Sequence, residues 1–273
     1  MLSVRGMTAL TRIGFAARGI MYVLIGYLAL RTGRTEDGAG AISFVASGAG
    51  KPLVALMGLG FLGYALWRVS EAVIDSEGNG SGAKGLAVRA GGAMSGVIHV
   101  GLGLLALSAG VGKGGGNSGA GTQQGAANAL SLPAAELILL GAAVILLLTG
   151  LAQLGKAWKA GFLRHLDPRA ARRNWVEWLG RTGYAARGIV FLMMAWFFLR
   201  GGQESSAAEA GGMGEALSAL PTSLRAAVAA GLFLFGLFSF VEARHRRIND
   251  PHVLSRLKGA LEDARLAGGH SSP

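Results

Sequence analysis

The chain has 273 residues, of which 51% are hydrophobic and 15% charged, with a formal net charge of +11 and no cysteine. A soluble domain carries about a quarter charged residues, so this composition favours a membrane protein, and the lack of cysteine excludes disulfides and thiolate metal sites. The Lys and Arg residues lie at the ends of apolar segments and between them, a pattern that favours membrane orientation over nucleic-acid binding.

Six apolar segments are each long enough to cross a bilayer, because about 20 helical residues span its hydrocarbon core. We therefore predict six transmembrane helices. Residues 1–6 are too few and too polar to form the start of a cleaved signal peptide, so the first segment is expected to stay in the membrane. The predicted spans are Ile13–Leu30, Leu53–Ile74, Gly92–Gly110, Ala134–Leu154, Tyr184–Leu199 and Leu224–Val241.

The connections between the spans lie alternately on the two sides of the membrane. Most Lys and Arg residues lie in the N-terminal tail, the segments 75–91 and 155–183, and the C-terminal tail, which share one side. Because basic residues concentrate on the cytoplasmic side of a membrane, we predict that both termini are cytoplasmic.

An internal repeat organises the chain. The phrase R-x-G-x-A-A-R-G occurs at residues 12–19 and again at residues 181–188, each time at the start of an apolar span. A weaker copy starts at Arg89, with Ser95 in place of the second arginine. Repetition at this spacing indicates that the chain contains three copies of one structural unit.

Each copy has the same order of parts: a span, a loop rich in Gly and Ser, a short run of small and apolar residues that predicts an interfacial helix, and a second span. The sequence divides into unit 1 (7–76), unit 2 (84–160), unit 3 (176–248) and a tail (249–273) that predicts a cytoplasmic amphipathic helix. The predicted fold class is an all-α integral membrane protein, with six transmembrane helices as three parallel two-helix repeats in a pseudo-threefold arrangement.

The tandem phrase, followed each time by an apolar span, resembles the domain of unknown function 1206, a family of triplicated two-span units in bacterial membrane proteins. The resemblance extends from Met7 to Ile248. The middle unit departs from the family pattern, with Ser95 at the arginine position and His99 at the position of Tyr22. The resemblance implies the six-helix architecture and a location in the bacterial cytoplasmic membrane, and it implies no activity.

Two arginines lie inside apolar segments. About 18 Å of helix separates Arg18 from Arg31, against a hydrocarbon core of about 30 Å, and Arg187 and Arg200 repeat the pattern. At least one arginine of each helix is therefore expected within the membrane. The alternatives are a buried site for an anion, a lipid phosphate or a carboxylate partner, and a side chain that extends to the inner headgroups.

Candidate carboxylate partners end the second spans of units 1 and 3. Glu71 and Glu242 lie at matching positions and at the depth of the arginines. A carboxylate there can satisfy an arginine through a charge-assisted hydrogen bond. We therefore predict two pairs within units, Arg18 with Glu71 and Arg187 with Glu242, whose main role is structural.

Unit 2 has lost both halves of this pair. Gln153 and Lys156 stand where unit 1 has Arg68 and Glu71. His99 is the one histidine within a predicted span, and its interpretations are a proton relay and a hydrogen-bonded packing residue. The predicted intramembrane polar cluster contains Arg18, Arg68, Glu71, His99, Arg187 and Glu242.

Basic residues also form a ring at the predicted inner ends of the spans. Such a ring can hold anionic lipid headgroups, and the alternative is that these residues only set the orientation of the protein. The residues predicted to contact headgroups are Arg12, Arg89, Lys156, Arg181, Arg244, Arg246 and Arg247.

The sequence contains no recognisable catalytic motif, and it predicts no catalytic residue, cofactor or metal site. Three functions remain open: a membrane scaffold or accessory protein, a small transporter or channel for an anion, a proton or a lipid, and an enzyme that acts on lipid. We favour the scaffold, with membrane lipids and a possible membrane protein as partners and no nucleic acid. A polar cavity between the units would favour transport, whereas a closed, glycine-packed core would favour the scaffold.

Overall fold

The computed structural model describes residues 4–48, 50–75, 78–113, 120–133 and 135–247. These residues contain no β-strand, and six of their helices are long and apolar enough to cross a membrane, which confirms the predicted all-α class. In chain order the helices are α1 (Val4–Thr32), α2 (Gly38–Ala46), α3 (Lys51–Ile74), α4 (Ala83–Gly110), α5 (Ala120–Leu130), α6 (Ala135–Lys159), α7 (Pro168–Ala171), α8 (Asn174–Gln203), α9 (Met213–Ser218) and α10 (Thr222–His245).

The first long helix of each unit begins earlier than its apolar segment. Helices α1, α4 and α8 begin nine or ten residues before the spans predicted for them. An unbroken apolar run marks only the part of a helix that lies in the membrane. The basic turns that precede it continue the same helix, and apolar content alone does not detect them.

Each unit has one short helix between its two long helices, namely α2, α5 and α9, so the three predicted short helices are present. Asp37 caps α2, because its carboxylate accepts a hydrogen bond from the backbone N–H of Gly40 at 2.9 Å. Helix α2 packs against α1, α3 and α4, and α9 packs against α8 and α10. These short helices cover the end of the bundle at which the two long helices of a unit are joined.

The six long helices pack in the order α4, α3, α1, α10, α8, α6. The contacts between units repeat, because the second helix of each unit packs against the first helix of another: α3 with α4, α6 with α8, and α10 with α1. Within units, α1 packs against α3 and α8 against α10, whereas α4 and α6 share no extended contact among the described residues. The arrangement is consistent with a pseudo-threefold ring that is open within unit 2.

Glycines allow close approach at all three contacts between units. A Cβ atom built on Gly19 would lie 3.0 Å from the carbonyl oxygen of Gly236, and one on Gly188 would lie 3.2 Å from that of Gly150. A Cβ on Gly96 would lie 3.5 Å from a backbone oxygen of α3. These three glycines share the last position of the repeated phrase, so this position is small because a neighbouring backbone approaches it.

The contacts within units are alike in units 1 and 3 and missing in unit 2. A Cβ atom built on Gly14 would lie 2.7 Å from Cβ of Tyr64, and one on Gly183 would lie 2.7 Å from Cβ of Phe235. Gly91 holds the equivalent position in unit 2, and no described atom of another element lies within 4 Å of a Cβ built there. The two long helices of unit 2 therefore lie apart where those of the other units touch.

Burial along the spans shows the same difference. In α1, α3 and α10 half or more of the most apolar stretch is buried inside the protein, against 33% in α8, 28% in α4 and 22% in α6. Helices α4 and α6 are the two ends of the packed row, so each has a neighbour on one side only. Their remaining faces are apolar and suited to contact with lipid chains.

The connection between α6 and α8 contacts the end of α10. The backbone N–H of Asp167 donates to the carbonyl oxygen of His245 at 2.9 Å, and that of Arg247 donates to the carbonyl oxygen of His165 at 2.9 Å. These bonds tie the exit of unit 3 to the segment that precedes it. The predicted amphipathic helix at 249–273 lies outside the described residues.

Candidate functional site

Arg18 is buried at the junction of α1, α3 and α10, with 4% of its surface exposed. Its Nε donates to the Ser239 hydroxyl at 3.2 Å, and its Nη1 donates to the Tyr64 hydroxyl at 3.0 Å. Its Nη2 is paired with the Glu242 carboxylate, and the ring of Phe15 lies 4.6 Å from the guanidinium carbon. Arg18 is therefore a buried arginine with a carboxylate partner, one of the two alternatives that its sequence position left open.

The predicted pairs within units are wrong. Arg18 of unit 1 pairs with Glu242 of unit 3, and Glu71 pairs with Arg68, which lies three residues earlier on the same helix. Helix α1 lies directly against α10, which brings the end of α10 beside Arg18, whereas Arg68 already occupies the space next to Glu71. Arg187 forms no ion pair within the described part of the chain.

Glu242 has a second partner in Arg246, one turn later on α10, at 2.9 Å. The Arg246 side chain is 8% exposed and lies over the rings of Phe15 and Trp67, at 4.9 and 4.8 Å. The prediction that Arg246 contacts lipid headgroups is therefore wrong. The i, i+4 spacing of a glutamate and an arginine was the available sequence signal for this inward orientation.

Tyr64 connects the two ion pairs, and sequence analysis did not identify it. Its hydroxyl accepts hydrogen bonds from Arg18 Nη1 at 3.0 Å and from Arg68 Nε at 3.1 Å. Its equivalent in unit 3 is Phe235, which has no hydroxyl, so the repeat alone does not mark the position as polar. The inter-unit network consists of Arg18, Tyr64, Arg68, Glu71, Glu242 and Arg246.

The inter-unit network contains three arginines and two glutamates, so it carries an excess of positive charge. A buried arginine is tolerated when carboxylates and hydroxyls satisfy its N–H groups. Aromatic rings complete the surroundings, because the Arg18 guanidinium also lies 5.0 Å from the Phe235 ring. The network joins units 1 and 3 across the contact of α1 and α10.

Arg187 holds the position of Arg18 in unit 3, with different surroundings. Its Nε is buried and has no hydrogen-bond partner among the described residues. Its guanidinium lies over the rings of Tyr22, Phe191 and Phe235, at 5.4, 5.4 and 4.6 Å. Cation–π contacts offset part of its desolvation, but no carboxylate neutralises its charge.

His99 packs beside the network on α4. Its ring lies 4.4 Å from the ring of Tyr64 and 5.9 Å from that of Phe61. Nδ1 lies 2.7 Å from the carbonyl oxygen of Ser95, so it carries the proton and donates to that oxygen. In the neutral ring Nε2 is then an acceptor, and it is buried without a partner in the described structure. His99 is a packing residue with one polar atom left over.

Two residues of α6, Gln153 and Lys156, also belong to this part of the molecule. Gln153 is 7% exposed, and no described residue donates to its Oε1. The Lys156 ammonium lies 5.8 Å from the ring of Tyr184. Lys156 lies within electrostatic range of Arg68 and Arg187, which places it with the polar cluster, although its own surface is exposed.

We name the space between α4 and α6 the unit 2 opening. We assign four residues to its inner end: Arg187, His99, Lys156, which lies within electrostatic range of Arg187, and Gln153, which lies one turn before Lys156 on α6. His99 lies within electrostatic range of Arg187 as well as of Arg68. Four of the six residues of the predicted polar cluster belong to the inter-unit network, and the other two, His99 and Arg187, belong to this opening.

The first arginine of the repeated phrase caps the helix of a neighbouring unit. Arg89 donates to the carbonyl oxygens of Ala72 and Val73, at 2.9 and 3.0 Å. Arg181 donates to those of Ala157 and Trp158, which are the equivalent positions in unit 2, at 3.0 and 2.5 Å. A cation at a helix C-terminus satisfies carbonyl groups that have no helical partner. The guanidinium groups of Arg89 and Arg181 thus have a structural role in addition to any contact with lipid.

The remaining basic residues face outward. Arg12 and Arg244 are exposed, and Arg244 and Arg247 line a cleft of about 800 Å³ on the predicted cytoplasmic face. Trp175, which is half exposed, lies at the same cleft. We name this feature the arginine cleft, after Arg169, Arg173, Arg244 and Arg247.

Asp167 lies at the edge of the arginine cleft and outside the spans. Its carboxylate accepts hydrogen bonds from the backbone N–H groups of Arg169 and Ala170, which begin α7. Its other oxygen lies 2.5 Å from Nδ1 of His245. The hydrogen bond from the Ala170 N–H, followed by that from His245, holds the pKa of Asp167 below its usual value. The ionised carboxylate therefore stabilises this contact.

The fold and the polar groups together define a helical membrane protein built from three two-helix repeats, with one repeat open. The family Domain of Unknown Function (DUF1206) matches the chain three times, at residues 13–75, 90–160 and 182–246. The chain belongs to this family, which confirms the resemblance carried by the repeated phrase.

A second protein is similar to this chain over most of its length. The uncharacterised protein YxxB of Bacillus subtilis (strain 168) is 27% identical over 252 residues, which cover 87% of this chain and 90% of the relative. No solved structure matches the chain.

Proposed function

We propose that the protein is a scaffold or accessory protein of the bacterial cytoplasmic membrane, with both termini in the cytoplasm. The observation that carries this proposal is the inter-unit network, in which Arg18 is fully enclosed by Glu242, Tyr64 and Ser239. Ion pairs of this kind, placed beside glycine-mediated helix contacts, hold helices in one arrangement. A rigid helix pair flanked by apolar faces is suited to contact with lipids and other membrane proteins.

The arginine cleft supports contacts with anionic headgroups. Its four arginines and Trp175 lie together at one end of the bundle. Basic residues near an anionic surface attract headgroups, and tryptophan favours the boundary between lipid chains and water. The charge distribution along the chain supports a cytoplasmic orientation of this face.

Lipid composition around the protein tests the cleft. In nanodiscs of phosphatidylglycerol and phosphatidylethanolamine, the protein should enrich the anionic lipid. Replacing Arg244→Gln and Arg247→Gln should lower that enrichment by about fivefold per residue. The matched control replaces Arg200→Gln and Arg225→Gln, two arginines at the opposite end of the spans, and should leave it unchanged. Equal recruitment of both lipids by the unmodified protein would contradict the proposal.

A topology test examines the orientation. A reporter that is active only in the cytoplasm should be active when fused at residue 273 and inactive when inserted at Lys113. The reverse pattern would place both termini outside and remove the cytoplasmic assignment of the arginine cleft.

The alternative function is a small transporter or channel, and the unpartnered Nε of Arg187 in the interior favours it. Flux measurements separate the two functions. Proteoliposomes with a pH or halide gradient should show no flux that depends on the protein if it is a scaffold. Protein-dependent flux that is lost in Arg187→Gln and kept in Arg200→Gln would replace the scaffold with the transporter.

A further inference from the structure

The unit 2 opening results from residues that prevent its two helices from packing. In unit 1, Gly60 of α3 faces Ala17 of α1, and a Cβ atom built on Gly60 would lie 2.7 Å from that of Ala17. The equivalent residues of unit 2 are Ile145 and Met94, which are 52% and 51% exposed. Large side chains at both positions are incompatible with the close contact seen in unit 1. The groove between α4 and α6 is therefore lined by apolar side chains.

The inner end of this groove is polar and incompletely satisfied. Gln153 is nine-tenths buried, and its Oε1 has no partner among the described residues. The buried Nε of Arg187 and Nε2 of His99 are in the same condition. Buried polar atoms are nearly always hydrogen-bonded. Arg187 Nε is a donor, whereas Gln153 Oε1 and His99 Nε2 are acceptors, so a group that satisfies all three must carry an acceptor and hydroxyl donors.

The charge of the missing group follows from the repeat. In units 1 and 3 the position at the end of the second span is a glutamate, Glu71 or Glu242, and each neutralises an arginine. In unit 2 this position is Lys156, and the nearby Arg187 has no carboxylate among the described residues. Glu242 lies within electrostatic range of Lys156, but it is already paired with Arg18 and Arg246. The two positive charges of Lys156 and Arg187 therefore favour a further anion at this end of the opening. No carboxylate of the described residues forms an ion pair with Arg187 or Lys156, so another molecule can supply this anion.

We propose that the unit 2 opening binds one anionic phospholipid, with its phosphate between Lys156 and Arg187 and its acyl chains along the groove between α4 and α6. The phosphate replaces the carboxylate that units 1 and 3 supply themselves. A lipid fits better than a soluble anion, because the groove opens sideways and is lined by apolar residues such as Met94 and Ile145. Lys156 lies one turn from the end of α6, where the phosphates of one leaflet are within reach of a long basic side chain.

This site is distinct from the arginine cleft and goes beyond the proposed scaffold function. It accounts for the joint replacement of the arginine by Ser95 and of the glutamate by Lys156 in one unit. The first change removes a cation that the unit would have to neutralise internally, and the second introduces one where an external anion arrives. Phosphate oxygens accept hydrogen bonds from Arg187 and from Lys156, and the hydroxyl groups of a phosphatidylglycerol headgroup can donate to Gln153 Oε1 and His99 Nε2.

Titration with lipid tests the proposal directly. Delipidated protein in neutral detergent receives phosphatidylglycerol or phosphatidylethanolamine, and native mass spectrometry measures how many lipids each protein molecule retains. One phosphatidylglycerol should bind in preference. Arg187→Gln and Lys156→Gln should each weaken its binding by about tenfold or more. Arg244→Gln with Arg247→Gln, which removes two of the four arginines of the arginine cleft, should leave this single lipid bound. Loss of the lipid from this double variant would assign it to the arginine cleft and contradict the proposal.

Lys156→Glu is the sharpest variant, because it restores the carboxylate of the other units. It should displace the lipid and raise the thermal midpoint of the delipidated protein, since Arg187 gains an internal partner. A variant that unfolds would be recognised by its lost midpoint, and Lys156→Gln then decides. Retention of phosphatidylglycerol unchanged by both Lys156→Gln and Arg187→Gln would overturn the proposal.

Two further arms identify the occupant. Glycerol phosphate in large excess should fail to displace the lipid, and displacement would indicate a soluble anion in its place. Phosphatidylglycerol with a photoreactive acyl chain should crosslink to α4 and α6 near Met94 and Ile145. Crosslinks distributed evenly over all six long helices would also overturn the proposal.

Discussion

Units 1 and 3 differ from unit 2 in one kind of contact and agree in the other. All three units use a glycine at the end of the repeated phrase to pack against a neighbouring unit: Gly19, Gly96 and Gly188. Only units 1 and 3 also pack their own two helices together. The repeat thus conserves the surface that joins units within this chain, and it varies the contact inside a unit.

The positions of the repeated phrase explain this division. Its first arginine caps a helix of another unit in two of the three copies, and its last glycine lies against another unit in all three. Its first glycine and its second alanine, Gly14 and Ala17 in unit 1, contact the second helix of the same unit. Unit 2 keeps the arginine and the last glycine, but Met94 replaces the alanine. A bulky residue at this position separates the helices of one unit without disturbing its neighbours.

The largest effect should come from the ion pairs between units 1 and 3. Glu242→Gln leaves Arg18 and Arg246 without their buried carboxylate, and breaking a buried pair from one side costs about 3–5 kcal/mol. Titration with a denaturing detergent unfolds the protein in bicelles and measures the loss of unfolding free energy. The matched control is Lys156→Gln at the equivalent position of unit 2, where in bicelles of neutral lipid the exposed side chain should lose less than about 1 kcal/mol.

The pair itself is tested by a double-mutant cycle. Arg18→Gln and Glu242→Gln should be coupled, whereas Arg18→Gln and Glu71→Gln should be less so, because Glu71 is paired with Arg68. Stronger coupling of Arg18 to Glu71 than to Glu242 would indicate that Arg18 pairs within unit 1 and that no ion pair joins units 1 and 3.

A second effect separates the units by their internal contacts. Gly14→Val and Gly183→Val place methyl groups against α3 and α10, and overpacking of this kind costs about 1–3 kcal/mol. Gly91→Val is the matched substitution in unit 2 and should be close to neutral, because no neighbouring element approaches that position. The thermal midpoints of the three variants provide the comparison. A Gly91→Val protein as unstable as the other two would show that α4 and α6 pack together in the membrane.

A third, smaller effect concerns the helix-capping contact that Arg89 of unit 2 and Arg181 of unit 3 make with a neighbouring unit. Arg89→Met and Arg181→Met each remove two hydrogen bonds to helix-terminal carbonyl groups, at a cost of about 1 kcal/mol. The two variants should be destabilised by similar amounts, with Arg181→Met slightly the more so, because Arg181 also pairs with Glu177 on the protein surface. Arg12→Met is the control at the same repeat position, where the side chain is exposed. A large difference between Arg89→Met and Arg181→Met would indicate that unit 2 is loosely held on its outer side as well.

The sequence predicted the number of spans and the repeat, because both depend on the order of residues along the chain. It did not predict which carboxylate pairs with which arginine. Glu71 and Glu242 lie at the same depth, and the choice between them depends on how helices are rotated and which units are neighbours. The repeat fixes the position of each glutamate along its helix. The rotation of the helices and the choice of neighbouring units follow only from the packing of α1 against α10.

The roles of single side chains were limited by the same lack of rotational information. Tyr64 lies within a predicted apolar span, and nothing local distinguishes a tyrosine with a buried hydroxyl from one at an interface. The basic run around Arg246 predicts headgroup contact, although this side chain faces inward. The sequence shows that unit 2 lacks both the arginine and the glutamate. It does not show that the two helices of this unit lie apart.

The smallest predicted effect lies at the connection that joins unit 2 to unit 3. The pKa of Asp167 is lowered in the folded protein, first by the hydrogen bond from the Ala170 N–H and then by His245. A lowered folded pKa means that the ionised carboxylate stabilises the fold above the unfolded pKa of about 3.9, and that this contribution is lost as the pH falls through the folded pKa. Asp167→Asn keeps the cap of α7 and removes the charge. Its thermal midpoint should therefore be lower than that of the unmodified protein at pH 7, and the difference should shrink towards pH 3. A difference that stays constant between these values would assign the contact to backbone hydrogen bonds alone, and the tie between units 2 and 3 would then be independent of charge.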